Sequence, residues 1–442
     1  MSVSEAAVPA VSLWRRPGFS ALLVGQTLSA LGDSFSFVAI PLLVLHATGS
    51  VAQMGVVTAL GGAAALVTGV FSGVLADRFD RRRLLIACDV ARFALYAAVP
   101  VLWTAYPVVW PLYVVMPLAA AFGNVFQVTY VTVVPGLVPP EEITRANGRL
   151  YASYSAAFLV GPALAGLVSG RFGPAPAIAF DAATFAVSAV CIALIRVRTP
   201  VAAAPREPES LFAVFSAGVR FIAGHPVLRW LTVLLTIVSG LLLGLNDVIV
   251  YHVKHGLGGD DSVVGYVLAT GIVGSLAASL LVARVRGRLG FGPTWVAANA
   301  VAGAGIAAVG WAGGVVPVAV LLALVMLCTS LGGISSMSLR QEVTPAHLLG
   351  RVTSAFWTLH SALAPLGAAA LTAAAARFGV AATLSAAGAL CAVTALIGLL
   401  TPLRRADRAR ISPAGRPRAG DRWWHRRRRG GRVPRPVCAP RR

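Results

Sequence analysis

Hydrophobic residues run through this chain in long, nearly unbroken blocks, and polar residues gather in the short gaps between them. A block of about 20 apolar residues is the length of helix that crosses the hydrocarbon core of a bilayer. The pattern predicts twelve such helices, at 19–46, 51–76, 84–104, 108–135, 150–170, 175–195, 228–252, 263–283, 292–312, 316–339, 352–376 and 379–401. Most gaps are tight turns, but the one at about 197–225 is longer and carries Pro200, Pro205, Pro208 and mixed charge. It divides the chain into a polar arm (1–18), a first six-helix bundle (19–196), an inter-bundle loop (197–227), a second six-helix bundle (228–402) and a tail (403–442). Within that loop the amphipathic stretch 211–222 predicts a helix lying along the membrane surface. The fold class is all-α: a membrane protein with 12 transmembrane helices in two pseudo-symmetric six-helix bundles.

The second half repeats the first. A shift of 206 residues lays Arg145 on Arg351, Ser155 on Ser361, Gly161 on Gly367, and Arg171, Phe172 and Gly173 on Arg377, Phe378 and Gly379. A helix pair repeated with the same handedness is what two transporter halves related by an axis along the membrane normal require.

Composition narrows the function. Of 442 residues, 57% are hydrophobic and 12% charged, too little charge to cover a soluble domain of this length. The five cysteines (Cys88, Cys191, Cys328, Cys391, Cys438) form no C-x-x-C pair, and four lie inside apolar spans, so they read as small buried hydrophobes. The single lysine, Lys254, sits in a loop, so no phosphate-binding G-x-x-x-x-G-K-[ST] motif exists. No metalloprotease helix, Cys/His ligand spacing or nucleophile elbow is present either. No catalytic residue, metal or cofactor is expected: the chain reads as no ATP pump, and nothing in it argues for an enzyme.

The net charge of +21 is distributed unevenly. With the N-terminus inside, only Arg171, Lys254 and Arg377 among the 37 basic residues fall in outer loops, and Arg92 lies within a span. That bias predicts a multi-pass protein of the cytoplasmic membrane with both termini in the cytoplasm. No cleaved leader is expected, and helix 1 serves as the insertion signal. The arginine- and proline-rich tail lacks periodicity and is expected to be disordered. Trp423, Trp424 and the run 426–429 are expected to meet anionic lipid headgroups or plain solvent rather than nucleic acid.

If the chain moves solutes, the lack of a nucleotide engine leaves ion-gradient coupling, and that requires titratable groups inside the bilayer. An acid there costs at least a few kcal/mol by insertion scales of roughly 2.5–3.5 kcal/mol, so its default reading is functional. Asp33 lies 17 residues after Arg16, and Asp247 lies 18 after Arg229. At about 1.5 Å per residue both stand at one depth, roughly 25–27 Å from the inner boundary, in the equivalent helices 1 and 7. They are the leading candidates for proton coupling or substrate contact, with Gln26, Asn246 and His360 beside them. The alternative is that each is a polar group satisfied by a neighbouring helix. Asn124, Gln127 and Tyr130 share an arc of roughly 120° on helix 4 and are candidate cavity contacts. Asp89 and Arg92, three apart on helix 3, are expected to pair with each other. Asp181 is expected near the outer interface, in reach of water.

The stretch 73–83, GVLADRFDRRR, is a charged turn between two apolar runs. Small Gly73 and Ala76 allow two helices to approach. Asp77 sits where the C-terminal end of a helix dipole repels an acid unless cations answer it. Arg78, Arg81 and Arg82 follow at once. This run resembles the loop between helices 2 and 3 of the major facilitator superfamily, G-x-L-A-D-R-x-G-R-R, with Asp80 in place of the usual glycine. The runs TGSVAQMG (48–55), ADRFDRRRLLIACDVAR (76–92) and VPPEEITRANG (138–148) look most like the macrolide-efflux and siderophore-exporter branch. Gly148, Gly161, Pro162 and Gly166 match the helix 5 signature of drug/proton antiporters, G-x8-G-x3-G-P-x2-G-G, while Ala157 and Ala165 replace two of its glycines.

The resemblance implies that helices 1 and 7 line a central cavity. It implies a cytoplasmic gating latch formed by Gly73, Asp77, Arg78, Arg81 and Arg82, with Asp89 and Arg92 in support. It further implies a monomer that exports amphiphilic small molecules (drugs, macrolides or siderophores) in exchange for protons or another coupling ion, by alternating access. Two rival readings stand beside this one: a solute importer on the same fold, and a non-transporting membrane sensor or scaffold.

Overall fold

The computed structural model describes residues 16–139, 142–195, 211–345 and 348–406. The expected arm up to Arg15, the first part of the inter-bundle loop (197–210, with Pro200, Pro205 and Pro208) and the tail with its tryptophans and Cys438 lie outside them. Among the described residues, twelve helical segments are long and apolar enough to cross a membrane. The first half contains α1 (Pro17–Thr48), α2 (Val51–Arg78), α3 (Arg81–Ala105), α4 (Leu112–Val133), α5 (Ile143–Phe172) and α6 (Pro174–Leu194). A short helix, α7 (Leu211–Gly224), leads to the second half. There follow α8 (Pro226–Leu242), α9 (Leu245–Tyr251), α10 (Asp261–Leu289), α11 (Phe291–Val309), α12 (Val315–Val343), α13 (Leu349–Ser361), α14 (Ala364–Phe378) and α15 (Val380–Ile397).

Two predicted spans are broken helices. Span 7 is α8 plus α9, interrupted at Leu243 and Gly244, where the backbone of Gly244 packs against Ala368. Span 11 is α13 plus α14, interrupted before Pro365, which lacks the N–H that a continuous helix needs. Span 4 starts at Leu112 instead of 108 because Pro111 precedes it as a cap. Span 5 starts seven residues earlier than its apolar run, at Ile143, because polar residues also extend a helix once it leaves the bilayer. The stretch 211–222 is helical, but it packs on α13 and α8, and a Cβ on Gly218 would meet Ala355 Cβ at 2.8 Å. His225 caps α8 by accepting from the Leu228 N–H at 3.3 Å, and burial pulls its imidazole below the ordinary range.

The repeat is visible in the backbone. Gly173 turns α5 into α6 at φ 81° and ψ 169°, and Gly379 turns α14 into α15 at φ 83° and ψ 161°. Both lie in a region that only glycine adopts freely, which explains why the Arg-Phe-Gly triplet recurs. Asp80, which replaces the glycine of the helix 2–3 loop, is the N-cap of α3 and accepts from the Arg83 N–H at 2.9 Å. An aspartate in that role satisfies one orphan donor of the helix start.

The halves meet mainly through α5 on α10 and α2 on α14, and their shared apolar core lies toward one end of the molecule. That end carries the turns at 49–50, 173, 257–260 and 379. There one apolar core runs through both halves, joining Val44, Leu45 and Met54 to Val248, Val264 and Leu371. At the opposite end the packing splits. Phe19, Leu22 and Leu150 form a cluster inside the first half, whereas Trp295, Leu339 and Phe356 belong to a separate one inside the second. The molecule is closed at the first end and parted at the second.

Candidate functional site

Between the halves, on the parted side of the shared core, lies a cavity of about 740 Å³. Gly62, Gly69 and Asn124 line it from the first half, and Asn299, Trp357 and His360 from the second. A branch of about 370 Å³ reaches toward the closed end and holds Asp33, Arg92, Asn246 and Asp247. A second branch of about 510 Å³ reaches toward the parted end past Tyr154, Arg340 and His360. Gly62 and Leu243 border the first two compartments, and Trp357 and His360 border the main cavity and the second branch.

Asp33 and Asp247, one from each half, therefore line one compartment. Asp33 is ion-paired with Arg92. The guanidinium of Arg92 also lies over the Phe185 ring, 3.8 Å from its centroid. This corrects the expected Asp89–Arg92 pair: the long arginine side chain reaches across to α1, whereas Asp89, three residues earlier, is buried against α6 beside Ser188. Gln26 donates to the Ser188 hydroxyl at 3.4 Å, on the same α6 face and away from the cavity lining. Asp181 is also fully buried, not water-exposed, and accepts hydrogen bonds from Ser36 and Thr184. Asp247 is 1% exposed and lies beside Thr58; one of its carboxylate oxygens and the amide oxygen of Asn246 have no hydrogen-bond partner among the described residues. Such groups call for a proton, a cation or a substrate donor.

Of the three helix 4 candidates, Asn124 lines the cavity and donates to the Ala65 carbonyl at 2.7 Å. Tyr130 packs into the first half's own core, stacked on Phe126 at 6.3 Å, and Gln127 is exposed outside the cavity. An arc of 120° is wider than the strip of α4 that faces the cavity, which explains the division. His360 stacks on Phe356 at 5.4 Å, with its Nδ1 buried and unpartnered.

The side chain of Asp77 lies outside the described residues. Arg78 is exposed. Arg81 donates to the Thr132 carbonyl at 3.1 Å, and Arg82 donates to the carbonyls of Ile192 and Ala193. These arginines thus answer the C-terminal dipoles of α4 and α6, within the first half. Gly73 and Gly148 face open space instead of a helix crossing. Gly161 and Gly166 do mark crossings: Gly161 presses on Ser34 of α1, and a Cβ on Gly166 would come 2.7 Å from Gly265 Cα on α10.

Two features had no counterpart in the sequence reading. At the closed end Asp261 of α10 accepts from Lys254 at 2.7 Å and meets His46 of α1 at 3.1 Å, so a polar contact bridges the halves. In the second branch Arg340 is 5% exposed, with Nη1 unpartnered. Arg340 lies three residues from the end of α12, so in the sequence it looks like an ordinary basic anchor of the inner face.

Two six-helix bundles closed over a shared cavity at one end and parted at the other define a membrane transporter, not an enzyme. The family model described as Major Facilitator Superfamily matches residues 22–368, and the chain belongs to that family. It is similar to multidrug efflux pump Tap of Mycobacterium tuberculosis, 29% identical over 290 residues, covering 62% of this chain and 68% of that protein. Macrolide efflux protein A of Streptococcus pyogenes is 24% identical over 180 residues, 40% of this chain and 44% of that one. Among solved structures, the nucleoside transporter NupG matches with a TM-score of 0.69 at 11% identity, over 87% of this chain and 98% of its own. The protein is thus a multi-pass membrane transporter of a small-molecule substrate.

Proposed function

We propose that this transporter exports amphiphilic small molecules in exchange for protons, by alternating access. The observation that carries the reading is the compartment shared by Asp33 and Asp247, on equivalent helices of the two halves. A carboxylate held there exchanges a proton only with the side to which the cavity is open, and a substrate arriving in the adjoining cavity changes the field it feels. The Asp33–Arg92 pair competes with both proton and substrate. The relatives named as efflux pumps support export. The charge bias of the loops supports an orientation with both termini in the cytoplasm, which makes the parted end cytoplasmic and the state inward-facing. In this reading the domains are the two bundles, the linking segment with α7 and the basic tail.

Export is tested in energised inverted membrane vesicles with a lipophilic fluorescent dye. The reading requires accumulation that a protonophore abolishes and that Asp33→Asn and Asp247→Asn each reduce at least tenfold at matched protein levels. Accumulation indifferent to protonophore and to both variants contradicts coupling through these carboxylates. The importer reading requires the dye to move the other way.

A further inference from the structure

The second cavity branch contains chemistry that proton coupling does not use. Arg340 projects from α12 into it, and its guanidinium lies flat on Phe356, 3.4 Å from the ring centroid, with Trp357 at 5.7 Å. No carboxylate among the described residues pairs with it; Glu342, two residues on, holds Arg286 at 2.7 Å on the other side of the helix. Stacking covers the faces of a guanidinium but leaves its N–H edge free, and Nη1 is buried there without an acceptor. A buried cation with an unused N–H donor at Nη1 suits a carboxylate or another oxyanion.

The surroundings complete the ligand. Across the branch, α5 presents Tyr154 and Phe158, whose rings are 4.7 Å apart, so an apolar or aromatic body has ring surface on both sides. A volume of about 510 Å³ is in the range that holds a drug-sized molecule. We propose that this branch is an anion-recognising substrate subsite. Arg340 grips the acidic group of an amphiphile and Tyr154, Phe158 and Trp357 hold its apolar body, so the exported class is organic acids or zwitterions carrying an aromatic or lipophilic portion. This rests on the transporter reading above and adds the substrate's charge to it. The cavity is then bipolar, with carboxylates toward the closed end and a cation toward the parted one.

The test uses the full chain in phosphatidylcholine nanodiscs and two matched probes, 2-naphthoate and the uncharged 2-naphthamide, titrated by quenching of tryptophan fluorescence. The wild type is expected to bind the acid at least tenfold more tightly than the amide. Arg340→Gln removes that preference while leaving amide affinity within twofold, which also reports that the cavity is folded; Arg340→Lys keeps part of it. Equal affinities in the wild type, binding of neither probe, or a preference that survives Arg340→Gln overturns the subsite. A preference that vanishes when phosphatidylglycerol replaces phosphatidylcholine assigns the subsite to a lipid headgroup and overturns the substrate assignment. None of these outcomes bears on protonophore-sensitive dye export, so the subsite and the export reading fail separately.

Discussion

Arg92 lies nearly buried under Phe185 with Asp33 as its ion-pair partner and Asp181 close behind. Removing a cation from such a site leaves an acid in low dielectric, which costs about 3–5 kcal/mol. Arg92→Gln is therefore expected to lower the thermal-unfolding midpoint of the purified protein by several degrees. The double variant Asp33→Asn/Arg92→Gln should recover most of that loss, because the carboxylate left unpaired is gone. Strictly additive losses mean that the two groups are not coupled. The sequence placed Asp33 and Arg92 at membrane depth but paired Arg92 with the wrong acid. Spacing along one helix says which residues share a face, and a long guanidinium instead finds its partner across helices. Arg340 was invisible for a related reason: burial of a cation near a helix end is a tertiary fact with no signature in hydropathy.

At the scale of elements, two glycines of the helix 5 signature differ in consequence. A Cβ at Gly166 would press on Gly265 Cα and on the Asp261 carbonyl at 2.9 Å, where α5 crosses α10. Gly148 has nothing within reach. Gly166→Leu is expected to abolish dye export while the protein remains folded in the membrane, because the closed end cannot form. Gly148→Ala should be neutral or stabilising by about 0.5–1 kcal/mol, since alanine is the better helix former. Loss of export in Gly148→Ala would contradict the packing described. The His46–Asp261–Lys254 bridge acts on the same crossing from its rim. Asp261→Asn should raise the labelling rate of a cysteine placed at Val264 severalfold by loosening the closed end; an unchanged rate means the bridge bears no part of the closure. The twelve spans were legible because apolar length alone defines them, and the Arg-Phe-Gly repeat because only glycine takes its turn. The breaks at Gly244 and before Pro365 were not, since hydropathy runs straight through both.

At the scale of the whole molecule, one apolar core at the closed end and separate clusters at the other describe one arrangement of the halves. The proposed alternating access requires a second, and the charged stretch 73–83 is expected to act there. In the present one Arg81 and Arg82 hold, among the described residues, first-half carbonyls, and the turn is expected to brace the parted end when it closes. Asp77→Ala is expected to abolish transport at matched expression in the membrane, and unchanged efflux rules that latch out. Removing residues 407–442 should leave export intact, because every residue named above at the cavity and the crossings precedes them; a scaffold that binds partners through its basic tail would lose its function.

The claim on which the account turns is that the two ends open in alternation around one cavity. It is tested most directly by spin-label distances in a background without native cysteines, with one pair across the closed end, Thr48→Cys and Asp260→Cys, and one across the parted end, Phe79→Cys and Leu289→Cys. The account predicts that adding substrate or lowering the pH shifts both distributions in opposite senses, the first lengthening as the second shortens. Distances that stay fixed under every condition, or that lengthen together, contradict it.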